Sequence, residues 1–290
     1  MNPWILAIRP RTLPAAIGPL LIGNILAFQL PKFSLVIAGT SMLCAIILQI
    51  SVNLANDYFD FENGIDTKER LGPIRVTQGG LLSSTKIRNA MILCLMLALI
   101  VGSYLIWHGG WPIAILAALS ILAAVSYSGG PYPLASHGLG EVTVFIFFGL
   151  VAVIGSYYLQ AGETHLSAWI LGCAIGFLNA AIMLVNNTRD MLTDTKTGKR
   201  TLAVRVGEGQ SRLLYQTFLF LPFAFIIGGF LLGFLPGLPV LLASLSLIVA
   251  RKLNVDFSNA SGAELNPLLA RTAMLTIIFS VLFSIGLLFT

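Results

Sequence analysis

Two clusters of carboxylate and carboxamide side chains stand out in a chain that otherwise carries few charged residues. The first lies in the string QISVNLANDYFDFENGIDTK and the second in NAAIMLVNNTRDMLTDTK. The matched pairs are Gln49 with Asn179, Asn56 with Asn186, and Asp60 with Asp190. Residues three, four or seven positions apart share one face of a helix. The two segments therefore predict two polar helical stripes that are related by an internal parallel repeat.

Side chains of this type suit hard divalent cations, which prefer oxygen ligands. Mg²⁺ in particular is usually held by one or two carboxylates, waters and substrate phosphates, and seldom by a closed protein cage. Basic side chains that could donate to phosphate oxygens are interleaved with the acids. They are Lys68, Arg75, Lys199 and Arg200. The combination predicts a site for Mg²⁺ and a diphosphate group.

The elements that must position these clusters are membrane-spanning helices. The chain has 290 residues, of which 57% are hydrophobic and 10% are charged, and its mean hydropathy is +0.88. Soluble domains usually carry roughly 25% charged residues, so a soluble globule of this size is excluded. The composition instead predicts an all-α polytopic membrane bundle, with one membrane-embedded domain over residues 1–290.

Nine windows are long and apolar enough to cross a bilayer as helices, which takes about 20 residues each. They are 12–30, 33–56, 86–107, 111–127, 141–160, 167–187, 212–234, 236–250 and 270–289. The two polar clusters follow the second and the sixth window. Because these windows are four spans apart, both clusters must lie on the same side of the membrane.

The basic residues predict which side that is. With the N-terminus in the cytoplasm and nine crossings, 16 of the 17 Lys and Arg residues lie on the cytoplasmic side, and only Lys32 lies opposite. Such an asymmetry is what the positive-inside rule describes. The clusters are therefore expected at the cytoplasmic face of a cell (inner) membrane. Topology and anionic lipid headgroups account for the net charge of +5, so neither a nucleic-acid partner nor an obligate protein partner is expected.

A diphosphate site above an apolar helical bundle predicts an amphipathic substrate. The charged head would bind at the cytoplasmic mouth and a long hydrophobic tail would lie among the helices, as expected of a prenyl diphosphate. A secondary transporter is the alternative from another class, because transporters also contain parallel repeats and polar residues within their spans. The charged residues of this chain gather at one surface and not near the midplane, which favours an enzyme.

The two clusters resemble the aspartate-rich motifs of the UbiA-type intramembrane prenyltransferases. NDYFDFENGID is similar to the first motif of that family and NNTRDMLTD to the second, and the resemblance covers essentially the whole chain. Three stretches are similar to the branch that acts on 1,4-dihydroxy-2-naphthoate. They are NDYFDFENGIDT with LGPIRVTQGG, SGGPYPLASHGLGE, and NNTRDMLTDTKTGKRTLAVRVG.

The resemblance implies roles for individual residues. The implied Mg²⁺ ligands are Asp57, Asp60, Asp66, Asp190 and Asp194, where Asp66 replaces an aspartate that many relatives carry at the position of Gly64. The implied substrate contacts are Asn56, Asn186, Lys199, Arg200 and Arg11. The residues implied in the chemistry itself are Asp60, Asp190, Lys68, Arg75 and Tyr127. Tyr127 is either a ring that stabilises an allylic cation or an interfacial belt residue, and Arg11 is either a carboxylate partner or an interfacial anchor.

The resemblance also implies a reaction. A long-chain prenyl group would pass from its diphosphate to 1,4-dihydroxy-2-naphthoate, with loss of pyrophosphate and CO₂, giving a demethylmenaquinone. A prenyl or phytyl transferase acting on another aromatic acceptor remains open. The hydroxybenzoate branch tends to carry Arg-Pro-Leu-x-Ser-Gly where this chain has RVTQGG from Arg75, which favours the naphthoate branch. The Asp-Gly-Ala-Arg pattern of transferases that use CDP-alcohols is not found in the chain.

Overall fold

The computed structural model describes residues 2–65 and 71–290, and within these ranges the secondary structure consists of helices, without strands. The helices are α1 (Pro3–Ile8), α2 (Pro14–Leu26), α3 (Leu35–Glu62), α4 (Ser84–Ser126), α5 (Gly140–Val144), α6 (Ala152–Ala161), α7 (Leu166–Lys196), α8 (Leu202–Leu231), α9 (Gly237–Ser244), α10 (Leu247–Asn259) and α11 (Asn266–Leu288). A π-helical segment, Phe145–Val151, joins α5 to α6, so these three form one continuous apolar element.

Seven helical elements in the described part of the chain are long and apolar enough to cross a membrane. The N-terminal helices Pro3–Thr12 and Pro14–Leu26 are bent by 46° and together provide one more crossing. The longest element, α4, has 43 residues. A straight helix of that length would extend about 65 Å, roughly twice the hydrocarbon thickness of a bilayer. Its path therefore decides the number of spans.

Helix α4 folds back on itself at Gly110, where the backbone leaves the helical region with φ 71° and ψ −158°. Near the start of α4, Ile87 packs in one cluster with Leu54 of α3. Just after the end of α4, the Ser128 hydroxyl donates to the Asn56 carboxamide oxygen of α3 at 2.5 Å. Because both ends of α4 lie beside the same end of α3, α4 provides two antiparallel spans. The described residues thus form nine spans, as the sequence predicts.

Two spans extend further than the apolar windows predict, and their extra turns carry the polar clusters. Helix α3 continues from the predicted end at residue 56 to Glu62, and α7 continues from residue 187 to Lys196. The windows end too early because hydropathy detects only the part of a helix that is embedded in lipid. Helix α8 also begins ten residues before its predicted window and breaks at Gly207, where φ is 79°.

Segments that are distant in sequence meet at one end of the bundle. The contacts that join them are Arg9 with Asp57, Arg200 with Ser136, and Asn266 with Leu71. The N-terminal segment and the segments after α3, α4, α7 and α10 therefore lie on one side. This arrangement is what nine crossings produce, and it places the ends of α3 and α7 side by side as the internal repeat predicts.

Helix α7 is the centre of the bundle, with 72% of its most apolar window buried. It packs closely against the π-helical segment, because a Cβ atom built at Gly149 would lie only 2.4 Å from the Cα of Gly176. Small residues allow transmembrane helices to approach at this distance. The close contact brings Phe147 and Phe148 beside the polar stripe of α7, where they form part of a cavity wall.

Candidate active site

A cavity of about 250 Å³ lies among α2, α3, α4, the π-helical segment and α7. Polar side chains line its mouth, at the end where the distant segments meet. They include Arg9, Asn56, Asp60, Arg75, Asn186 and Lys199. Apolar side chains line its depth, among them Leu20, Leu48, Val52, Phe147 and Ile182. The cavity therefore suits a molecule with a charged head and a hydrophobic body.

A second, polar cavity of about 30 Å³ adjoins the first. Arg75, Asn186 and Lys199 line both cavities, so the two cavities lie on either side of these side chains. The second cavity is also lined by Asp190 and Asp194, which lie one helical turn apart on α7. The carboxylates of the two predicted clusters thus meet at one site.

Asp60 lies on the last turn of α3 and is only 3% exposed. Arg75 lies in the loop that follows α3, and its Nη2 donates to Asp60 Oδ2 at 2.9 Å. Lys199 Nζ, which follows α7, lies 4.0 Å from Asp60 Oδ1. Two cations from different halves of the repeat therefore surround one buried carboxylate. The structure brings together these three residues as the sequence analysis expected.

Asp57, which the sequence analysis assigned as a metal ligand, points into the loop and lines neither cavity. Its Oδ1 accepts from the Thr77 amide at 3.1 Å and from the Thr77 hydroxyl, and its Oδ2 accepts from the Val76 amide at 3.1 Å. Both oxygens are therefore used to hold the loop that carries Arg75. Asp57 Oδ2 also lies 4.0 Å from Nη2 of Arg9, which lines the larger cavity. The structure therefore shows Asp57 positioning a cavity residue, and its role as a metal ligand stays a prediction.

Asp190 is paired with Arg189, a residue that the sequence analysis did not select. Arg189 Nε donates to Asp190 Oδ1 at 2.8 Å, and Arg189 Nη2 lies 2.5 Å from Oδ2. The same guanidinium donates to the carboxamide oxygens of Asn186 and Asn266. Arg189 is 3% exposed. Its place inside the NNTRD string, between two residues of the polar stripe, is the signal that could have revealed it.

Tyr127 is buried and lines the larger cavity. Its hydroxyl donates to Met183 Sδ of α7 at 2.9 Å. A belt tyrosine would lie against lipid headgroups, whereas Tyr127 is buried, and its role beside a cation stays a prediction. The ring is available at the cavity wall, where the sequence analysis placed a group that could face a cation.

Four other predicted residues lie outside both cavities or outside the described residues, and the exposure of Arg11 agrees with the alternative of an interfacial anchor. Arg11 is exposed and lines neither cavity, whereas Arg9 lines the larger one. Arg9 has φ 54°, a left-handed conformation that is uncommon for a residue other than glycine. The Arg200 side chain is exposed and outside both cavities. Asp66 and Lys68 lie outside the described residues.

The carboxylates that face the site fit a Mg²⁺ ion that is shared with a phosphate ligand. Within residues 2–65 and 71–290, no three Asp, Glu, His or Cys side chains lie close enough to hold a metal ion by themselves. Mg²⁺ needs only one or two carboxylates where substrate phosphates complete its coordination. Asp60 faces the site from α3 and the pair Asp190 and Asp194 faces it from α7, which meets that requirement.

Nine spans, two matched aspartate stripes and a cavity with a charged mouth define an intramembrane transferase for amphipathic substrates. Residues 16–265 match the model of the UbiA prenyltransferase family, and the chain belongs to that family. It is therefore a multi-pass prenyltransferase, and the transporter alternative is wrong.

Individual relatives indicate which branch of the family this chain is similar to. Proteins named 1,4-dihydroxy-2-naphthoate octaprenyltransferase from Haemophilus influenzae and Escherichia coli are each 34% identical to this chain. Each comparison covers 98% of this chain, and 95% and 94% of the respective relative. A UbiA homolog from Archaeoglobus fulgidus, solved bound to DMAPP and Mg²⁺, has a TM-score of 0.71 at 14% identity over 99% of both chains. That structure shows the same fold.

Proposed function

We propose that this protein transfers a long-chain prenyl group from a prenyl diphosphate to 1,4-dihydroxy-2-naphthoate, as one membrane-embedded domain. Pyrophosphate and CO₂ leave, and the immediate product is the quinol form of a demethylmenaquinone, in menaquinone biosynthesis. The observation that carries the proposal is the pair of adjoining cavities, in which carboxylates of both clusters and the cations Arg75 and Lys199 surround the mouth of an apolar chamber. The names of the relatives at 34% identity support the choice of acceptor.

The charged mouth would bind the diphosphate head. Asp60, Asp190 and Asp194 would hold Mg²⁺ together with the diphosphate, and the bound metal would neutralise charge that develops on the departing pyrophosphate. Arg75 and Lys199 line both cavities and would donate to the phosphate oxygens. Binding would replace the present contacts of both cations with Asp60.

The apolar depth of the cavity would protect the reacting carbon. When the allylic C–O bond breaks, both of its electrons go to pyrophosphate and an allylic cation forms. Apolar walls exclude the water that would otherwise trap this cation. Tyr127 would stabilise the cation through its ring face. The electron-rich naphthoate ring then forms the new C–C bond, and loss of CO₂ returns the electrons of the broken C–C bond to the ring, so that no external base is needed.

The acceptor's carboxylate needs a cationic partner at the same cavity. Arg9 fits this role better than Arg11, because Arg9 lines the cavity and Arg11 is exposed. The left-handed backbone at Arg9, between α1 and the turn Pro10–Thr12, supports its assignment as a residue held in place for binding.

The acceptor assignment is tested with purified protein, Mg²⁺, a long-chain prenyl diphosphate and 1,4-dihydroxy-2-naphthoate labelled in its carboxylate. We expect pyrophosphate and labelled CO₂ to be released in equal amounts, and much less product from 4-hydroxybenzoate. Geranyl, farnesyl and longer diphosphates in the same assay measure the preferred chain length. If 4-hydroxybenzoate is prenylated faster than the naphthoate, the acceptor is wrong although the fold and the family assignment stand.

The two N-terminal arginines should differ in their effect on acceptor binding. Arg9→Met should raise the KM for 1,4-dihydroxy-2-naphthoate about tenfold or more, because a hydrogen bond between charged groups contributes about 1.5–3 kcal/mol. The KM for the prenyl diphosphate should change less. Arg11→Met makes the same chemical change two residues away and should leave both KM values unchanged. Equal effects of the two variants on the acceptor KM would contradict the role given to Arg9.

We place the mouth of the cavity at the cytoplasmic face of the cell (inner) membrane. The support is the partition of 16 of the 17 basic residues to this side of the nine spans. A reporter enzyme that works only in the cytoplasm should be active when it is fused after Thr77, and inactive when it is fused after His165 or Thr290. A reporter that works only outside the cytoplasm should give the opposite pattern. Cytoplasmic activity of a reporter at Thr290 would contradict this topology.

A further inference from the structure

The remaining matched pair of the repeat, Gln49 and Asn179, lies below the charged mouth. Both residues line the larger cavity, and their exposed fractions are only 7% and 1%. Gln49 precedes Asp60 by eleven residues, which corresponds to roughly 16 Å along α3. These carboxamides are therefore too deep to bind the diphosphate head, and the proposed reaction has so far given them no part.

Hydrogen bonds determine which way the Asn179 carboxamide is oriented. Asn179 Nδ2 lies 3.3 Å from the Ala15 carbonyl oxygen and 3.2 Å from the Phe148 carbonyl oxygen. Main-chain carbonyls can only accept hydrogen bonds, so the nitrogen must face them and the oxygen must face elsewhere. Asn179 Oδ1 is buried and accepts no hydrogen bond from any residue that the structure describes.

A chain of hydrogen bonds determines the orientation of Gln49 in the same way. Asn53 Nδ2 donates to the Ile8 carbonyl at 2.8 Å, which leaves Asn53 Oδ1 to accept from Gln49 Nε2 at 3.4 Å. The Thr12 hydroxyl donates to the Arg9 carbonyl, so it too can only accept from Gln49 Nε2. Gln49 Oε1 is left buried and, over the described ranges, without a donor.

Two buried acceptors in one cavity indicate what kind of ligand the cavity receives. A buried acceptor without a donor costs about 1–3 kcal/mol, and a prenyl tail has no donor to offer. An aromatic ring with two hydroxyl groups offers two. Arg9, whose carbonyl ends the network around Gln49, lines the same cavity and would hold the ring's carboxylate.

We propose that the carbonyl oxygens of Gln49 and Asn179 accept hydrogen bonds from the two ring hydroxyls of the aromatic acceptor and so select a dihydroxy ring over a monohydroxy ring. This inference rests on the proposed function. One carboxamide comes from each half of the internal repeat, so the repeat that supplies the carboxylates also supplies a matched pair of acceptors for the second substrate.

Binding measurements test the proposal without requiring turnover. Isothermal titration of the full chain in detergent compares 1,4-dihydroxy-2-naphthoate with 1-hydroxy-2-naphthoate and 4-hydroxy-2-naphthoate, each of which lacks one hydroxyl. The unsubstituted protein should bind the dihydroxy acid about 10- to 100-fold more tightly than either analogue, because each analogue leaves one buried acceptor unpaired. Equal affinity for all three acids would overturn the proposal.

Two variants then assign the hydroxyls. Gln49→Met and Asn179→Leu keep most of the side-chain volume but remove the carbonyl oxygen. Each variant should bind the dihydroxy acid and one of the two analogues equally well, and should still bind the dihydroxy acid more tightly than the other analogue. The analogue that gains equal affinity should differ between the two variants. Either variant is informative by itself if the other does not fold. A folded variant that keeps both preferences overturns the proposal.

A control variant and the unsubstituted protein separate this inference from the proposed function. Ser120 also lines the cavity, but its hydroxyl donates to the Leu116 carbonyl of its own helix, so Ser120→Ala should keep both preferences. Loss of both preferences in that control would mean that any change in the wall disturbs the site, which contradicts the assignment. If the unsubstituted protein binds none of the three acids, the proposed acceptor class itself fails.

Discussion

Replacing Asp60 or Asp190 by asparagine should lower the rate of prenyl transfer at least ~100-fold, because each change removes a charged oxygen from the diphosphate site at nearly constant volume. Each carboxylate also neutralises a buried arginine. Arg75 Nη2 lies 2.9 Å from Asp60 Oδ2, and Arg189 Nη2 lies 2.5 Å from Asp190 Oδ2. Initial rates at saturating substrates measure the effect. Gel filtration and thermal unfolding in detergent establish that each variant is folded.

Asp256→Asn is the matched control for these two variants. Asp256 also pairs with an arginine, since its Oδ2 lies 2.7 Å from Arg271 Nη2, but both side chains are partly exposed and away from the cavity. Exposed ion pairs contribute little to stability, so this variant should keep its activity to within about twofold. Full activity in Asp60→Asn or Asp190→Asn would mean that the two aspartate stripes have a structural role only.

Removal of divalent cations with EDTA should abolish prenyl transfer, and added Mg²⁺ should restore it. The physical reason is that the departing pyrophosphate carries several negative charges that two basic side chains cannot neutralise alone. The measurement is a titration of the initial rate with Mg²⁺ after chelation. Activity that persists in EDTA would contradict the metal site altogether.

Variants of Asp194 and Asp57 make this test more specific, because Asp194 lines the smaller cavity and Asp57 does not. Asp194→Asn should raise the Mg²⁺ concentration for half-maximal rate about tenfold, since it removes a charged ligand from the polar cavity. Asp57→Asn should leave that concentration unchanged and instead lower the unfolding temperature, because the carboxylate holds Val76 and Thr77. A large shift in the Mg²⁺ requirement of Asp57→Asn would instead support Asp57 as a metal ligand.

Much of the fold could be predicted from the sequence because each signal acts over a short stretch of chain. Hydropathy revealed nine windows, and the partition of the basic residues agreed with nine crossings from a cytoplasmic N-terminus. The spacing of Asp60 and Asp190 from their preceding carboxamides identified two equivalent helical faces. Those matched pairs line the cavities in the structure, because residues on one face of a helix stay together whatever the helix packs against.

Only the tertiary structure decided which of several neighbouring residues faces the cavity. Asp57 and Asp60 differ by three positions, yet one holds a loop and the other lines the site. Arg9 lines the cavity and Arg11 does not, and the left-handed backbone of Arg9 interrupts the helix between these two residues. Spacing along one helix determines which side chains share a face. The partners of those side chains come from segments far away in the sequence, as Arg75 and Lys199 do for Asp60. No local sequence pattern predicts which distant segment will pack there.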